Sequence, residues 1–141
     1  MLQREVVERI AAPPGSHERG YLTVLVEAFC DTKALFDVPP GAFRPVPKVW
    51  STVARLRVRE GATLTDERLF QRVVGASFAQ KRKTIFNNLR SAPADLRSLA
   101  EAAGGAASLL EAAGIDPQRR AETLTLAEWI ALTESLRAGA L

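Results

Sequence analysis

The sequence predicts an α/β segment over residues 1–60 followed by an all-helical domain over residues 61–141. Three observations carry this. Val49 to Arg59 alternates, with Trp50, Ala54, Leu56 and Val58 on one face and Arg55, Arg57 and Arg59 on the other, the period of a β-strand. From Thr65 onward every apolar pattern has helical spacing instead. Between the two lies Glu60-Gly61, and the boundary is set at Gly61 to Leu64.

Taken in order, Met1 to Ala12 predicts a surface helix. Leu2, Val6, Val7 and Ile10 recur at helical spacing, and Pro13-Pro14-Gly15 stops it. A second helix runs from about Tyr21 to Cys30 behind Gly20, with Leu22, Leu25, Val26 and Phe29 as its apolar stripe. Lys33 to Val38 and Val49 to Arg59 read as neighbouring strands of one sheet. In the second half, Leu69, Phe70, Val73 and Val74 form one stripe. Phe78, Ile85, Phe86 and Leu89 form another rotated by roughly a third of a turn, so a break is expected near Ala79 to Arg82. Leu96 to Ala113 is helical with an interruption at Gly104-Gly105, and Gly114 suits a C-terminal cap. Asp116-Pro117 opens a short helical turn, and Thr125 caps a last helix through Leu136. Two strands do not complete an open sheet. If residues 1–60 close a doubly wound α/β domain, strands before Met1 and the ligand site at their carboxyl ends are expected to be missing.

Composition narrows the chemistry. With 141 residues, 47% of them hydrophobic, the chain can bury a core, and a net charge of +3 permits an anionic partner without demanding one. A single Cys30 and a single His17 argue against a disulfide framework or a zinc centre, so no metal is expected and a reducing cytoplasmic setting fits. The apolar runs are far short of a membrane span, and MLQREVVERI is amphipathic rather than a leader. His17 sits in a Gly/Ser loop and reads as a solvated residue. No glycine-rich phosphate loop is present, and no residue of the chain reads as catalytic, cofactor-binding or metal-binding.

Two features remain. Lys81-Arg82-Lys83 would fan over about 200° of a helix, so within a packed helix one cation would face the core. At the expected break all three can be solvated, either as an ordinary charged turn or as a grip on phosphate. Arg90, Arg119 and Arg120 add cations whose face the sequence leaves open. The second feature is PPGAFRPVPKV, Pro39 to Val49, with four prolines around Phe43 and the cations Arg44 and Lys48. Proline fixes φ and extends its predecessor, so Phe43 is held by a stiff loop. It serves either to stack on an unpaired base or to plug the core.

MLQREVVERIAAPPGS, AFCDTKALFDVPPGAFRPVPKVWS, FAQKRKTIFNNL and AGIDPQRRAETLTLAEWIAL, in that order, resemble consecutive segments of the ribosomal RNA adenine N6,N6-dimethyltransferases of the bacterial KsgA/RsmA type, as their C-terminal portion. The F-x-P-x-P-K-V and F-x-Q-[KR]-R-K-T-x-x-N-N-L patterns are specific to that family and its macrolide-resistance relatives. The resemblance implies the end of a Rossmann-like, S-adenosylmethionine-dependent methyltransferase domain followed by a small helical rRNA-binding domain. Its members dimethylate two adjacent adenosines near the 3′ end of small-subunit rRNA, without a metal. It implies a base-stacking role for Phe43 with Arg44 and Lys48 beside it, and rRNA contact through Lys81, Arg82 and Lys83. The partner implied is the rRNA of the pre-ribosomal 30S particle. The family's cofactor site and N-[IL]-P-Y motif belong upstream of Met1. This chain alone is therefore expected to be inactive and not to bind S-adenosylmethionine. One further departure is Trp50 where the family places Asp, which bears on packing after the loop.

Three readings compete: part of a methyltransferase; an rRNA-binding module without activity because the cofactor half is absent; and a structural piece that pairs with itself through exposed Leu2, Val6, Leu25 and Phe29.

Overall fold

The computed structural model describes residues 1–61 and 64–140. The chain divides into two compact units, Met1–Gly61 and Ala62–Leu141. Ala62 and Thr63, within the expected boundary, lie outside the described residues.

The first unit begins with a two-residue strand, β1 (Leu2–Gln3), then α1 (Arg4–Ile10), α2 (Tyr21–Phe29), β2 (Cys30–Val38) and β3 (Ser51–Val58). The sheet order is β1-β3-β2, with both pairs antiparallel. The expected pairing of the two long strands holds, but β2 starts at Cys30, three residues before the sequence signal. Cys30 pairs with Val58 and Val38 with Ser51, with a bulge between Ala34 and Phe36. The helix expected from Met1 starts at Arg4 instead, because Leu2 and Gln3 extend to pair with Thr52 and Ser51, a long-range partnership that local periodicity does not encode.

Two apolar stripes read from the sequence are partly exposed. Helix α2 buries Thr23, Val24 and Ala28, not the Leu22 to Phe29 stripe; Leu22 and Phe29 are exposed. The small face is chosen because α2 packs on α1, where the Thr23 hydroxyl donates to the Arg9 carbonyl at 2.6 Å. On β3, Leu56 and Val58, which belong to the apolar face read from the sequence, are exposed. A buried ion pair not expected from the sequence ties this unit together. Arg19, with no exposed surface, donates to the Ala12 carbonyl at 3.2 Å and meets Glu27 at 2.6 Å. Arg59 donates to the Glu27 carbonyl at 2.7 Å and pairs with Asp31 at 2.8 Å. Removing one member of such a buried pair strands a charge, at a cost of about 3–5 kcal/mol.

The second unit holds α3 (Glu67–Ser77), α4 (Ile85–Arg90), α5 (Ala94–Ala102), α6 (Ala106–Ala112) and α7 (Leu126–Gly139). The expected phase jump is real: α3 buries Leu69, Phe70, Val73 and Val74, the chain turns through Phe78 to Thr84, and α4 buries Ile85 and Leu89. Asp66 caps α3, its carboxylate accepting from the Leu69 amide at 2.9 Å. Gly104 and Gly105 take φ of 95° and 92°, which separates α5 from α6, and Gly114 at φ 71° ends α6. Asp116-Pro117 forms a turn, with the next helical turn delayed to Ala121–Thr123. Thr125 and Glu128 form a reciprocal capping box for α7, whose Trp129, Leu132 and Leu136 complete the core. Phe78 packs on Trp129 with ring centroids 5.5 Å apart.

Candidate nucleic-acid interface

The loop from Pro39 to Trp50 closes the β2–β3 hairpin, since Val38 and Ser51 are its last paired residues. Sheet pairing therefore brings Phe43 to the end of the hairpin. A 3₁₀ turn at Pro40–Ala42 is closed by the Phe43 amide donating to the Pro40 carbonyl at 3.2 Å, and the Arg44-Pro45 bond is cis. Phe43 is partly buried, while Arg44 and Lys48 are exposed. Lys48 lines a concavity of about 310 Å³ with Arg4, Glu5, Glu8 and Trp50. Trp50 finds its place there: the Arg4 guanidinium lies 5.4 Å from its ring centroid, and the Arg4 amide donates to the Trp50 carbonyl at 2.9 Å.

In the second unit the turn between α3 and α4 carries Lys81, Arg82 and Lys83 outside any helix, so none of them faces the core. The side chain that shapes this turn is Asn88, buried on α4. Its amide oxygen accepts from the Gln80 amide at 3.0 Å, and its nitrogen donates to the carbonyls of Gln80 at 3.0 Å and Thr84 at 3.3 Å. Sequence reasoning assigned Asn88 no role, although a buried-face position beside Ile85 and Leu89 occupied by an amide was a signal for it. The Thr84 hydroxyl then caps α4 by accepting from the Asn87 amide at 3.2 Å.

A concavity of about 670 Å³ is lined by Gln80, Lys81, Arg82, Lys83 and Arg120. Arg120 comes from far along the chain, through an antiparallel bridge to Thr84 and an Ile85 amide that donates to the Arg119 carbonyl at 2.7 Å. Among the described residues Arg82, Lys83 and Arg120 make no ion pair. The other cations divide differently. Arg119 binds both Glu128 oxygens at 2.7 and 3.0 Å, and Arg90 lies 5.5 Å over the Phe86 ring and lines a different concavity with Arg97. The Arg119 guanidinium holds the Glu128 carboxyl below its ordinary range, helped by the Thr125 amide and opposed by desolvation. Cations grouped in one concavity raise the positive potential there.

Among the described residues no group of three or more His, Cys, Asp or Glu side chains could hold a metal, and no helix is long and apolar enough to cross a membrane.

Comparisons with known proteins agree on one family. The family model described as Ribosomal RNA adenine dimethylase matches residues 1–132. Ribosomal RNA small subunit methyltransferase A of Acinetobacter baylyi is 43% identical over 138 residues, covering 96% of this chain and 46% of the relative. The protein of the same name from Xanthomonas oryzae pv. oryzae is 48% identical over 136 residues, covering 94% and 47%. The chain thus spans about half the length of the curated relatives it matches. Among solved structures, a dimethyladenosine transferase from Plasmodium falciparum superposes with a TM-score of 0.83 at 21% identity, over 99% of this chain and 56% of that one. The 23S rRNA methyltransferase ErmE gives 0.60 at 25% identity, over 96% and 52%.

Proposed function

The chain belongs to the ribosomal RNA adenine dimethylase family, and on that premise we propose that it is the C-terminal, rRNA-holding portion of an S-adenosylmethionine-dependent rRNA adenine-N6,N6-dimethyltransferase acting on adjacent adenosines near the 3′ end of small-subunit rRNA. Residues 1–60 are the end of a Rossmann-like domain and residues 61–141 a helical rRNA-binding domain. Antiparallel strands such as β2 and β3 are common at the edge of an otherwise parallel doubly wound sheet, which supports the first assignment.

The observation that carries the proposal is the concavity in which Lys81, Arg82, Lys83 and Arg120 converge. Cations grouped this way neutralise neighbouring phosphates and release their counterions. Phe43, presented beside Arg44 and Lys48 at the hairpin end, stacks on an extruded base. The cofactor supplies the methyl group, and its site lies outside this chain. On this reading the chain alone is inactive.

The test is binding to a small-subunit rRNA fragment by this chain and by its K81A/R82A/K83A variant. Loss of affinity with a shallower dependence on salt supports the proposal, and equal affinity and slope overturn it. Self-association has its own support: Tyr21, Leu22, Phe29, Phe36, Leu56 and Val58 are all exposed in the first unit, as is Leu2, whereas Val6 and Leu25 are partly buried. A strictly monomeric chain in sedimentation at high concentration would remove that reading.

A further inference from the structure

We propose that Glu128, which touches no ligand itself, positions Arg120 of the basic concavity by clamping Arg119. This deepens the proposed rRNA function and rests on it.

The segment carrying Arg119 and Arg120 is extended: Arg120 has φ −93° and ψ 155° and bridges to Thr84. Successive side chains of an extended segment point to opposite sides. Arg119 turns toward α7, where both its terminal nitrogens donate to Glu128, one of them also to the Thr123 carbonyl at 2.7 Å, and its Nε to the Thr123 hydroxyl at 3.2 Å. Arg120 turns the other way, into the concavity with Lys83 and Arg82. A two-point arginine–carboxylate pair fixes orientation as well as distance. Glu128 is itself fixed, because one of its oxygens accepts from the Thr125 amide at 2.9 Å in the capping box. Rigidity therefore passes from the start of α7, through Glu128 and Arg119, to the backbone whose next side chain is Arg120. Without the clamp, Arg120 would have to be ordered by the RNA itself, and affinity would fall.

The experiment is a double-mutant cycle on affinity for a small-subunit rRNA fragment, using the full 141-residue chain. Glu128→Gln is the informative change, since Gln also serves a capping box while losing the charge-assisted pair with Arg119. R120A should weaken binding on the order of tenfold and lower the salt slope by about one. E128Q should weaken it about threefold in the native background and not at all in the R120A background. K83A, on the other segment, should add to E128Q without coupling. All variants are compared well below their thermal midpoints, where a purely structural role of Glu128 leaves affinity unmoved. Equal effects of E128Q with and without Arg120 would overturn the positioning role. An unchanged affinity and slope in R120A would overturn the binding role. If the unaltered chain binds no RNA, the proposed function fails first and this inference with it.

Discussion

Phe43→Ala separates a ring held for stacking from a ring that plugs the core. Truncating a fully buried phenylalanine costs about 3–5 kcal/mol, whereas a surface change stays within about 0.5 kcal/mol. Phe43 lies between those limits, partly buried at the end of the β2–β3 hairpin, and a loss of about 2 kcal/mol follows from that position. For a cooperative unit of about 60 residues this is a fall of roughly 8–16 °C in its thermal midpoint. Phe70→Ala, which truncates a ring with no exposed surface, supplies the full-burial reference. The assay is urea unfolding of the three proteins with affinity for the rRNA fragment measured alongside. Phe43→Ala should leave the salt slope unchanged, because no charge is removed, and lower affinity by about 1–3 kcal/mol where a base stacks. A stability loss equal to that of Phe70→Ala, with affinity intact in the folded fraction, would refute the stacking role.

Other predictions follow from single contacts. The lowered Glu128 pKa means that its contribution to stability is fully present above the ordinary carboxyl value of 4.5 and is lost as pH falls through the lower folded-state value. Urea midpoints of the native chain and E128Q should therefore differ at neutral pH and converge in acid, and a constant difference would contradict the Arg119 pairing. Gly139→Ala should destabilise even though alanine favours helix by about 1 kcal/mol, because the new methyl would overlap Ala103, lying 2.7 Å from its Cα; a raised thermal midpoint would show the α5–α7 contact to be looser. Arg4→Ala and Trp50→Ala should each cost about 1 kcal/mol with a coupling of about 0.5–1 kcal/mol, and strict additivity would dismiss their stacking.

Legibility in the sequence followed the range of the interactions. The turn between α3 and α4 was readable because a buried stripe cannot rotate by a third of a turn without a break. The α7 cap was readable because Thr125 and Glu128 are three residues apart. The hairpin that presents Phe43 was readable for similar local reasons. Strand β1, the Arg19–Glu27 pair and the arrival of Arg120 beside Lys83 were not, since each depends on a partner supplied from elsewhere in the chain. The α2 stripe lies largely outside the buried face because α1 packs on the smaller face, where the Thr23 hydroxyl donates to the Arg9 carbonyl.

The proposed grip of this chain on rRNA lies in the basic concavity of its second unit. It is tested most directly by titrating a small-subunit rRNA fragment with the unaltered chain between about 50 and 200 mM salt. With four cations lining that concavity and about 0.7–0.9 counterions released per phosphate contact, the plot of log affinity against log salt should have a slope of about −3 or steeper. A slope near zero, or no binding at the lowest salt, would contradict the claim.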